Sequence, residues 1–289
     1  MNFTKMHGAG NDFIVFEASN RQRDWSKSAK AMCDRHFGIG ADGLVLVLPS
    51  GKADFRMREF NPDGSEAEAC GNGLRCLARY VQYKELIKAE THEISIETLA
   101  GIRKAKFLRG GRKEDSIQIG MGKPVFEAKD IPVMIEPGKK NLLDIKYILS
   151  YPVTIDKRKL LLDFVSMGNP HAVYFWQQPV SDFTLEQLGP KVEHHKIFPK
   201  RTNFEVGRVI SRRQIEARVW ERGVGETLAC GSGACAIAVA AQLHGYIDKK
   251  ADIKLPGGVL GVEWDGLGEV FLSGPAEVVF SGEWLEQRL

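Results

Sequence analysis

Short apolar runs bounded by turn-forming residues dominate this chain, and they predict a protein rich in β-strands. Seven runs predict strands, at residues 13–16, 44–48, 94–98, 116–119, 172–175, 215–220 and 269–272. Three longer segments carry apolar residues at helical spacing and predict helices, at residues 26–36, 71 to about 88 and 231 to about 244. The predicted strands outnumber the predicted helices.

The last two predicted helices begin in the same way. Cys70-Gly71-Asn72-Gly73 and Cys230-Gly231-Ser232-Gly233 share a Cys-Gly-X-Gly motif, 160 residues apart. A weaker similarity lies upstream, where Gly10-Asn11 and Gly168-Asn169 each precede a predicted strand. The simplest interpretation is one structural unit used twice. We place the boundary in the glycine- and proline-containing stretch 120–124.

Composition and charge exclude several classes of protein. The 289 residues are 43% hydrophobic and 27% charged with a net charge of +3, which excludes a disordered chain and leaves length for two domains. Basic residues are interleaved with acidic ones, so we predict no nucleic-acid partner. No run approaches the roughly 20 apolar residues that cross a bilayer, and the N-terminus lacks the apolar core of a signal peptide. We therefore expect a cytoplasmic protein without a membrane partner.

The five cysteines form an odd, sparse set, which is typical of thiols in a reducing compartment. Cys33, Cys76 and Cys235 fall inside predicted helices, and we interpret them as buried packing residues. The spacings from Cys70 to Cys76 and from Cys230 to Cys235 differ from the close pairs of structural zinc sites. We predict no metal.

The Cys-Gly-X-Gly motif places a thiol at a helix N-terminus, where unpaired N–H groups and the helix dipole favour anions. This position should favour a thiolate, and it should let a carboxylate bind to the neighbouring N–H groups. One such cysteine could be a buried apolar residue, but two at matching positions favour a site. If the halves pack about a pseudo-two-fold axis, a carbon between the thiols meets one acid/base group on each face. That geometry is suited to inverting a stereocentre.

Four segments carry the resemblance to a known family, namely residues 6–13, 61–73, 167–172 and 220–233, and residues 201–205 also fit. The chain resembles the diaminopimelate epimerases, isomerases of lysine and cell-wall precursor biosynthesis. They interconvert LL- and meso-diaminopimelate without a cofactor. The resemblance implies a homodimer and no cofactor or metal. It also implies an α+β fold of two similar domains related by a pseudo-two-fold axis, each a mixed sheet or barrel around a central helix, with the active site in the cleft. The expected halves are residues 1–122, joined by a final strand at about 277–289, and residues 123–276.

The resemblance assigns roles residue by residue. Cys230 matches the base toward the LL substrate and Cys70 the proton donor, while His171 and Glu221 match residues that tune their pKa. The positions that match substrate contacts are Asn11, Asn61, Gly71, Asn72, Asn169, Asn203, Glu221, Arg222, Gly231 and Ser232. Glu221 suits a distal ammonium and Arg222 a distal carboxylate. Each also has a plainer interpretation: Asn61 as a turn residue, His171 as a core histidine, and the Glu221-Arg222 pair as a solvated ion pair.

Two departures and three alternatives stay open. Gly43 stands where some family members carry a substrate-binding glutamine, and residues 136–159 fit the family poorly, as a surface insertion or a divergent hairpin. The chain could be a racemase of another amino acid on the same fold, although a short or apolar substrate would not need Glu221 and Arg222. It could be a redox protein that joins Cys70 to Cys230, or a carboxylate-binding module.

Overall fold

A computed structural model describes residues 1–18, 23–108, 116–135 and 147–285. The chain divides into two compact units, Met1–Gly120 with Ser273–Leu289, and Met121–Leu272. The chain passes from the first unit to the second after Gly120, at the edge of the stretch 120–124 that the sequence indicates. It returns to the first unit at Ser273, inside the strand β17 (Phe271–Pro275), rather than in a loop at about residue 277.

The first unit is a mixed sheet with two helices. Its elements are β1 (Asn2–Gly8), β2 (Asn11–Glu17), α1 (Trp25–Cys33), β3 (Gly43–Leu48), β4 (Phe55–Phe60), β5 (Glu66–Ala67), α2 (Gly71–Tyr83), β6 (Glu93–Thr98), β7 (Gly101–Leu108), β8 (Ser116–Gly120) and β18 (Glu277–Glu283). β1 runs antiparallel to β18 and β2, and β2 is parallel to β3. β4 is antiparallel to β3 and β5 and parallel to β6. β6, β7 and β8 form an antiparallel meander.

The second unit repeats this order. Its elements are β9 (Ile148–Ile155), β10 (Arg158–Ser166), β11 (Pro170–Phe175), α3 (Leu185–Glu193), β12 (Asn203–Ser211), β13 (Gln214–Glu221), β14 (Gly225–Thr227), α4 (Gly231–Leu243), β15 (Lys250–Leu255) and β16 (Gly258–Glu263). β10 is antiparallel to β9 and β11, and β11 is parallel to β12. β13 is antiparallel to β12 and β14 and parallel to β15. The predicted repeat is thus confirmed strand by strand.

A pair of ion pairs repeats as well. Arg58 donates to both carboxylate oxygens of Glu66 at 2.7 and 2.8 Å, and Arg218 donates to both of Glu226 at 2.7 Å. Each pair joins a long strand, β4 or β13, to the short strand that comes next, β5 or β14. Both strands precede the Cys-Gly-X-Gly motif of their unit. The two bidentate contacts therefore fix the same turn in both units.

Each unit wraps its sheet around the helix that the motif begins. α2 packs against β1 to β4, β7, β8 and β18, and α4 packs against β10 to β13, β15 and β16. From residue 233 to residue 241 every side chain of α4 is buried, and nearly all are alanine or β-branched. A helix that is apolar all round must be enclosed on all sides, which the curved sheet achieves. The cysteine motifs therefore begin the central helix of each unit.

Several element ends differ from the sequence prediction. α1 ends at Cys33 instead of residue 36, because the Asp34 carboxylate accepts the N–H groups of His36 and Phe37 at 2.7 Å and turns the chain. α2 ends at Tyr83 instead of about residue 88, since Glu85 has a φ of 55°. α3 was not predicted, because Pro190 interrupts its sequence pattern.

The poorly matching stretch 136–159 is described from residue 147, and residues 136–146 lie outside the described segments. Residues 147–159 form most of the β9–β10 hairpin, and Asp156 and Lys157 turn it with φ values of 48° and 67°. Tyr151 and Leu160 pack in a buried apolar cluster with α3. The hairpin interpretation is confirmed for these residues, and the surface-insertion interpretation is wrong for them.

Candidate active site

The first entrance, which we define as Cys70 to Gly73, leads into α2. Cys70 is extended, with φ of −126°, and its side chain does not cap the helix. A Cβ atom at Gly73 would lie 2.4 Å from Oε2 of Glu59 on β4. Only glycine fits there, because the carboxyl group occupies the space of a side chain.

Three predicted site residues meet at the first entrance. The Asn11 carbonyl oxygen accepts Nδ2–H of Asn72 at 2.9 Å and lies 3.9 Å from Sγ of Cys70, which donates to it. The Asn11 amide nitrogen donates to Asp42 at 2.9 Å. The orientation of the amide is therefore fixed on both sides, and its oxygen points toward the thiol.

A charged cluster that the sequence did not reveal supports this amide. Arg35 donates to Asp12 and to Asp42 at 2.8 Å, and Lys5 pairs with Asp12 at 2.5 Å. Burial opposes ionisation of Asp12, but hydrogen bonds from Arg35 and Lys5 outweigh it and lower its pKa to about 2. Asp42 is thus held in place to accept from Asn11.

Arg75 is a second residue that sequence reasoning missed. Its side chain is fully buried, one turn along α2 from Asn72. It donates to the Asn72 side-chain oxygen at 2.6 Å and to the Pro275 carbonyl at 3.2 Å. Its spacing of three residues from Asn72 on one helix face is the signal that could have found it. Arg75 holds Asn72 in the orientation that reaches Asn11.

Glu59 is the third missed residue, and it is buried. Burial raises its pKa to about 8, while a hydrogen bond with Cys70 acts in the opposite direction. In sequence it adjoins Arg58 and looks like half of a solvated pair. Its alternation with buried Met57 along β4 is the pattern that indicates an inward side chain.

The second entrance, which we define as Cys230 to Gly233, leads into α4 and is more enclosed. Cys230 is buried, and its Sγ accepts the Gly233 N–H at 3.4 Å and lies 3.5 Å from the Ser232 hydroxyl. Burial raises the pKa of this thiol well above its ordinary value, and the charges of Glu221 and Glu205 raise it further. The hydrogen bonds from Ser232 and Gly233 only partly oppose this. This direction is opposite to the favoured thiolate that the helix N-terminus predicts for Cys230, and its largest cause is desolvation.

A chain of hydrogen bonds runs from this entrance into the core. Asn169 donates to the Ser232 hydroxyl at 3.4 Å, and its carbonyl oxygen lies 2.9 Å from Nε2 of His171. Nδ1 of His171 lies 2.7 Å from Glu205, and both side chains are fully buried. Because the Asn169 oxygen can only accept, Nε2 is the donor in that contact, and Nδ1 faces the carboxyl group of Glu205. Burial raises the pKa of Glu205. Glu205 was matched in sequence but given no role.

Asn203, Glu221 and Arg222 lie near this chain of residues. The Asn203 amide nitrogen donates to the Pro170 carbonyl at 2.8 Å, and its oxygen accepts the backbone N–H of Arg222 at 2.9 Å. Thr227 donates to the Glu221 carboxylate. The Arg222 side chain is exposed and donates to the Lys200 carbonyl at 3.2 Å. Asn203 thus holds the backbone of Arg222 in place, a structural role that its sequence did not suggest.

Asn61 and Gly43 have local explanations. Asn61 begins a turn, in which its carbonyl accepts the Gly64 N–H and its side chain donates to Ser65, both at 2.9 Å. A Cβ atom at Gly43 would lie 3.2 Å from the Phe13 ring and from the Phe60 carbonyl. A side chain at this position would therefore need the Phe13 ring or the Phe60 carbonyl to move slightly.

The remaining cysteines behave as packing residues. Burial raises the pKa of Cys33 and of Cys76 to about 12, and none of the five cysteines, all in described segments, forms a disulfide. Within the described residues, no three His, Cys, Asp or Glu side chains are grouped so that they could hold a metal ion. No described helix is both long and apolar enough to cross a membrane.

Solved structures share the fold at low sequence identity. A phenazine biosynthesis protein of the PhzF family from Bacillus anthracis has a TM-score of 0.72 at 16% identity and covers 99% of each chain. A hydroxyproline epimerase from Agrobacterium vitis has a TM-score of 0.70 at 14% identity and covers 98% of this chain and 91% of its own. These similarities concern the fold alone, and they confirm the predicted fold class.

Closer relatives share the sequence over its whole length. The family described as diaminopimelate epimerase matches residues 3–127 and 164–279, which leaves out most of the β9–β10 hairpin. The diaminopimelate epimerase of Acetivibrio thermocellus is 47% identical over 98% of both chains. That of Methanococcus maripaludis is 45% identical over 98% of this chain and 99% of its own. This protein belongs to the diaminopimelate epimerase family.

Proposed function

We propose that this chain interconverts LL- and meso-diaminopimelate with two cysteine acid/base groups and no cofactor. The observation that carries the proposal is the repeated entrance. In each unit a cysteine precedes the central helix, and the backbone N–H groups of a Gly-X-Gly segment form the first turn of that helix. Family membership supports the substrate, because relatives at 45–47% identity are named for that reaction. The proposal places one proton-transfer group in each unit.

In the proposed reaction the protons balance without any further reactant. Cys230 in its thiolate form takes the α-proton of the LL isomer and becomes a thiol, and the electron pair stays on the substrate carbon. Cys70 then donates its thiol proton to the opposite face of that carbon and becomes a thiolate. The reverse reaction exchanges the two roles.

The α-proton is weakly acidic, so the site must stabilise the negative charge that develops on the substrate. We assign this role to the first-turn N–H groups at Gly71 and Asn72 and at Gly231 and Ser232. Such groups lack partners within a helix and carry the positive end of its dipole. Donors already aimed at the developing charge need no reorganisation during the reaction.

The distal amino acid group of the substrate carries both charges, and the second unit offers both complements. Glu221 suits the ammonium and Arg222 the carboxylate, with Asn11, Asn61, Asn169 and Asn203 as further contacts. Asn203 acts here through Arg222, whose backbone it holds. We therefore assign recognition of the distal group chiefly to Glu221 and Arg222.

The raised pKa of Cys230 must be overcome when substrate binds. Glu221 and Glu205 disfavour the thiolate through their negative charge. A bound ammonium group would offset that charge, since a nearby cation favours the ionised form of an acid. We therefore propose that His171 and Glu221 tune the cysteine pair and that substrate binding favours the thiolate of Cys230.

The same resemblance gives the remaining parts of the proposal. Cysteines without disulfides fit a reducing, cytoplasmic location, and the family implies a homodimer with diaminopimelate as its only small-molecule partner. Elution of the reduced protein at the mass of a monomer in light-scattering chromatography would contradict the dimer.

The decisive experiment is proton NMR of the reduced protein with LL-diaminopimelate in D2O, with chiral analysis of the product and no added cofactor. We expect the α-proton signal to decay while the meso isomer appears with deuterium at the inverted centre. Exchange with a different amino acid and none with diaminopimelate would move the chain to another substrate. No exchange with any amino acid would refute the proposed activity.

A further inference from the structure

The carboxyl group of Glu59 lies buried beneath the first entrance. It extends from β4 toward Gly73, and a Cβ atom at Gly73 would lie 2.4 Å from its Oε2. It contacts Cys70 through a hydrogen bond, while Oε2 has no hydrogen-bond partner among the described residues. A buried carboxylate with an unpaired oxygen is costly, whereas the protonated acid is not. The geometry therefore favours a neutral acid at this place.

The second unit has a carboxyl group in the same place, but it comes from the other strand. Glu59 on β4 pairs across the ladder with Val45 on β3. In the repeat, Glu205 on β12 pairs with Val219 on β13, so the acidic and apolar residues are exchanged. A Cβ atom at Gly233 would lie 3.1 Å from Glu205. Each unit thus holds one buried carboxyl group beneath the third residue of its entrance.

The two acids differ in their partners. Glu205 contacts His171, and that histidine is linked through Asn169 and Ser232 to Cys230. Glu59 instead contacts its cysteine directly. The ladder neighbours of Glu59 on β3 and β5 are Val45 and Ala67, which carry no charge.

The titratable and charged groups that act on this acid or on the neighbouring Cys76 thiol are Cys70, at the N-cap of α2, Cys76 and Arg75 on α2, and Asp12 on β2. Burial raises the pKa of the Cys76 thiol, Arg75 lowers it, and the charges of Glu59 and Asp12 raise it, so these groups act on one another. Arg75 is already bonded to Asn72 and Pro275. Cys70 is therefore the titratable group in direct contact with Glu59.

We propose that Glu59 is a positioning residue that acts through Cys70, by donating its carboxyl proton toward Sγ whenever Cys70 is a thiolate. The acid stabilises the thiolate that remains after Cys70 has given its proton away. In the reverse direction it lets Cys70 begin as a base without placing two negative charges together. If the proton moves fully, the products are the Cys70 thiol and the Glu59 carboxylate, so charge and protons balance.

This role rests on the function proposed for Cys70, but it can be tested without turnover. The rate at which iodoacetamide alkylates Cys70 follows its thiolate fraction, and peptide mass spectrometry measures that rate at Cys70 alone. The substrate-free full-length protein is used, from about pH 6 to about pH 10, across the ordinary range of a thiol. In the native chain the two coupled acids should give a broad curve with two steps, because the second proton leaves beside a negative charge.

Two variants and one control define the outcomes. Glu59→Gln keeps the shape and an N–H donor but cannot titrate, so the curve should become a single step. Glu59→Val, which copies the Val219 side chain of the second unit, should also give one step and slow alkylation about tenfold near pH 8, because the donor to the thiolate is lost. Val45→Ala removes packing at the paired residue and should keep both steps.

Superimposable curves for the native chain and Glu59→Gln would overturn the proposal. Glu59→Gln is nearly isosteric, so the comparison does not depend on whether Glu59→Val folds, and far-ultraviolet circular dichroism checks each variant. An absence of epimerisation by the native chain in D2O would be a separate result. It would contradict the proposed function without affecting the alkylation curves.

Discussion

The first and second entrances have the same Cys-Gly-X-Gly motif at the start of a central helix, but different side chains surround their thiols. Cys70 is half-buried and faces the oxygen of Asn11 and the acid of Glu59. Cys230 is buried, caps its own helix through Gly233, and is linked to His171 through Ser232 and Asn169. A duplicated fold thus supplies two equivalent helix N-termini, and a few side chains give each thiol its own proton environment. Under the proposed scheme, in which the two thiols take opposite acid/base roles, this asymmetry gives each thiol surroundings of its own.

The largest expected effect tests whether both thiols are needed. Cys70→Ala and Cys230→Ala should each lower epimerisation at least about thousandfold, because each removes an acid/base group that no neighbour replaces. Turnover is followed by NMR with LL-diaminopimelate in D2O. Cys76→Ala is the matched control, since Cys76 is buried on α2 and is given no role in proton transfer. A single alanine variant with near-native turnover would end the two-thiol scheme.

Recognition of the distal group is expected to depend on Arg222 of the second unit. The first unit has Pro62 at the matching position of the repeat, and proline carries no charge that could bind a carboxylate. Arg222→Met should lower kcat/KM for diaminopimelate roughly ten- to hundredfold, because a charged hydrogen bond to the substrate carboxylate is lost. Arg212→Met is the control, as Arg212 is an exposed arginine paired with Asp248 at 2.8 Å. Equal kcat/KM values for the two variants would remove Arg222 from the substrate site.

The glycines at the third residue of each entrance should tolerate alanine unequally. At Gly73 a Cβ atom would lie 2.4 Å from Glu59, whereas at Gly233 its nearest neighbour is 3.1 Å away. Gly73→Ala should therefore lower the free energy of unfolding by about 1–3 kcal/mol, and Gly233→Ala by less. Urea denaturation measures both. The Gly73→Ala cost should shrink when Glu59→Ala is added, and a cost that simply adds would show that Glu59 is not the obstacle.

The sequence alone predicts much of this comparison. The repeated motif locates both thiols and both central helices, and the matching asparagines predict that Asn11 and Asn169 lie beside them. These are local patterns, and a repeat shows them twice. The structure places Asn11 and Asn72 with Cys70, and Asn169 and Ser232 with Cys230.

The sequence could not predict the features of the site that depend on which side chains are buried in the folded chain. β12 is buried on both faces, so alternation cannot show that Glu205 points inward between buried Phe204 and Val206. Glu59 follows Arg58 and looks solvated until the helix is packed above it. The raised pKa of the Cys230 thiol likewise has desolvation as its largest cause, and desolvation depends on residues far apart in sequence. The roles of the site residues stay predictions until the variants are measured.

The smallest expected difference concerns the repeated ion pairs. Arg58 pairs with Glu66, whereas Arg218 pairs with Glu226 and also donates to the carbonyls of Val180 and Phe183 at 3.0 and 2.9 Å. Arg218→Met should therefore lower the free energy of unfolding by about 2 kcal/mol and Arg58→Met by about 1 kcal/mol, since more buried acceptors lose their donor in the second unit. Thermal denaturation at neutral pH measures both, and a larger loss for Arg58→Met would contradict the ranking.

The same pair predicts a pH dependence with a definite sign. The hydrogen bond from Arg58 lowers the pKa of Glu66, so the pair's contribution is present above the ordinary pKa of a glutamate. It is lost as the pH falls through the lowered value, because Glu66 is then protonated when folded as well as when unfolded. The Arg58→Met variant and the native chain should therefore converge in stability as the pH falls below about 4. A difference that stays constant into acid would mean that Arg58 stabilises the turn by stacking on Phe60, whose ring centroid lies 4.8 Å from its guanidinium, and not through its charge.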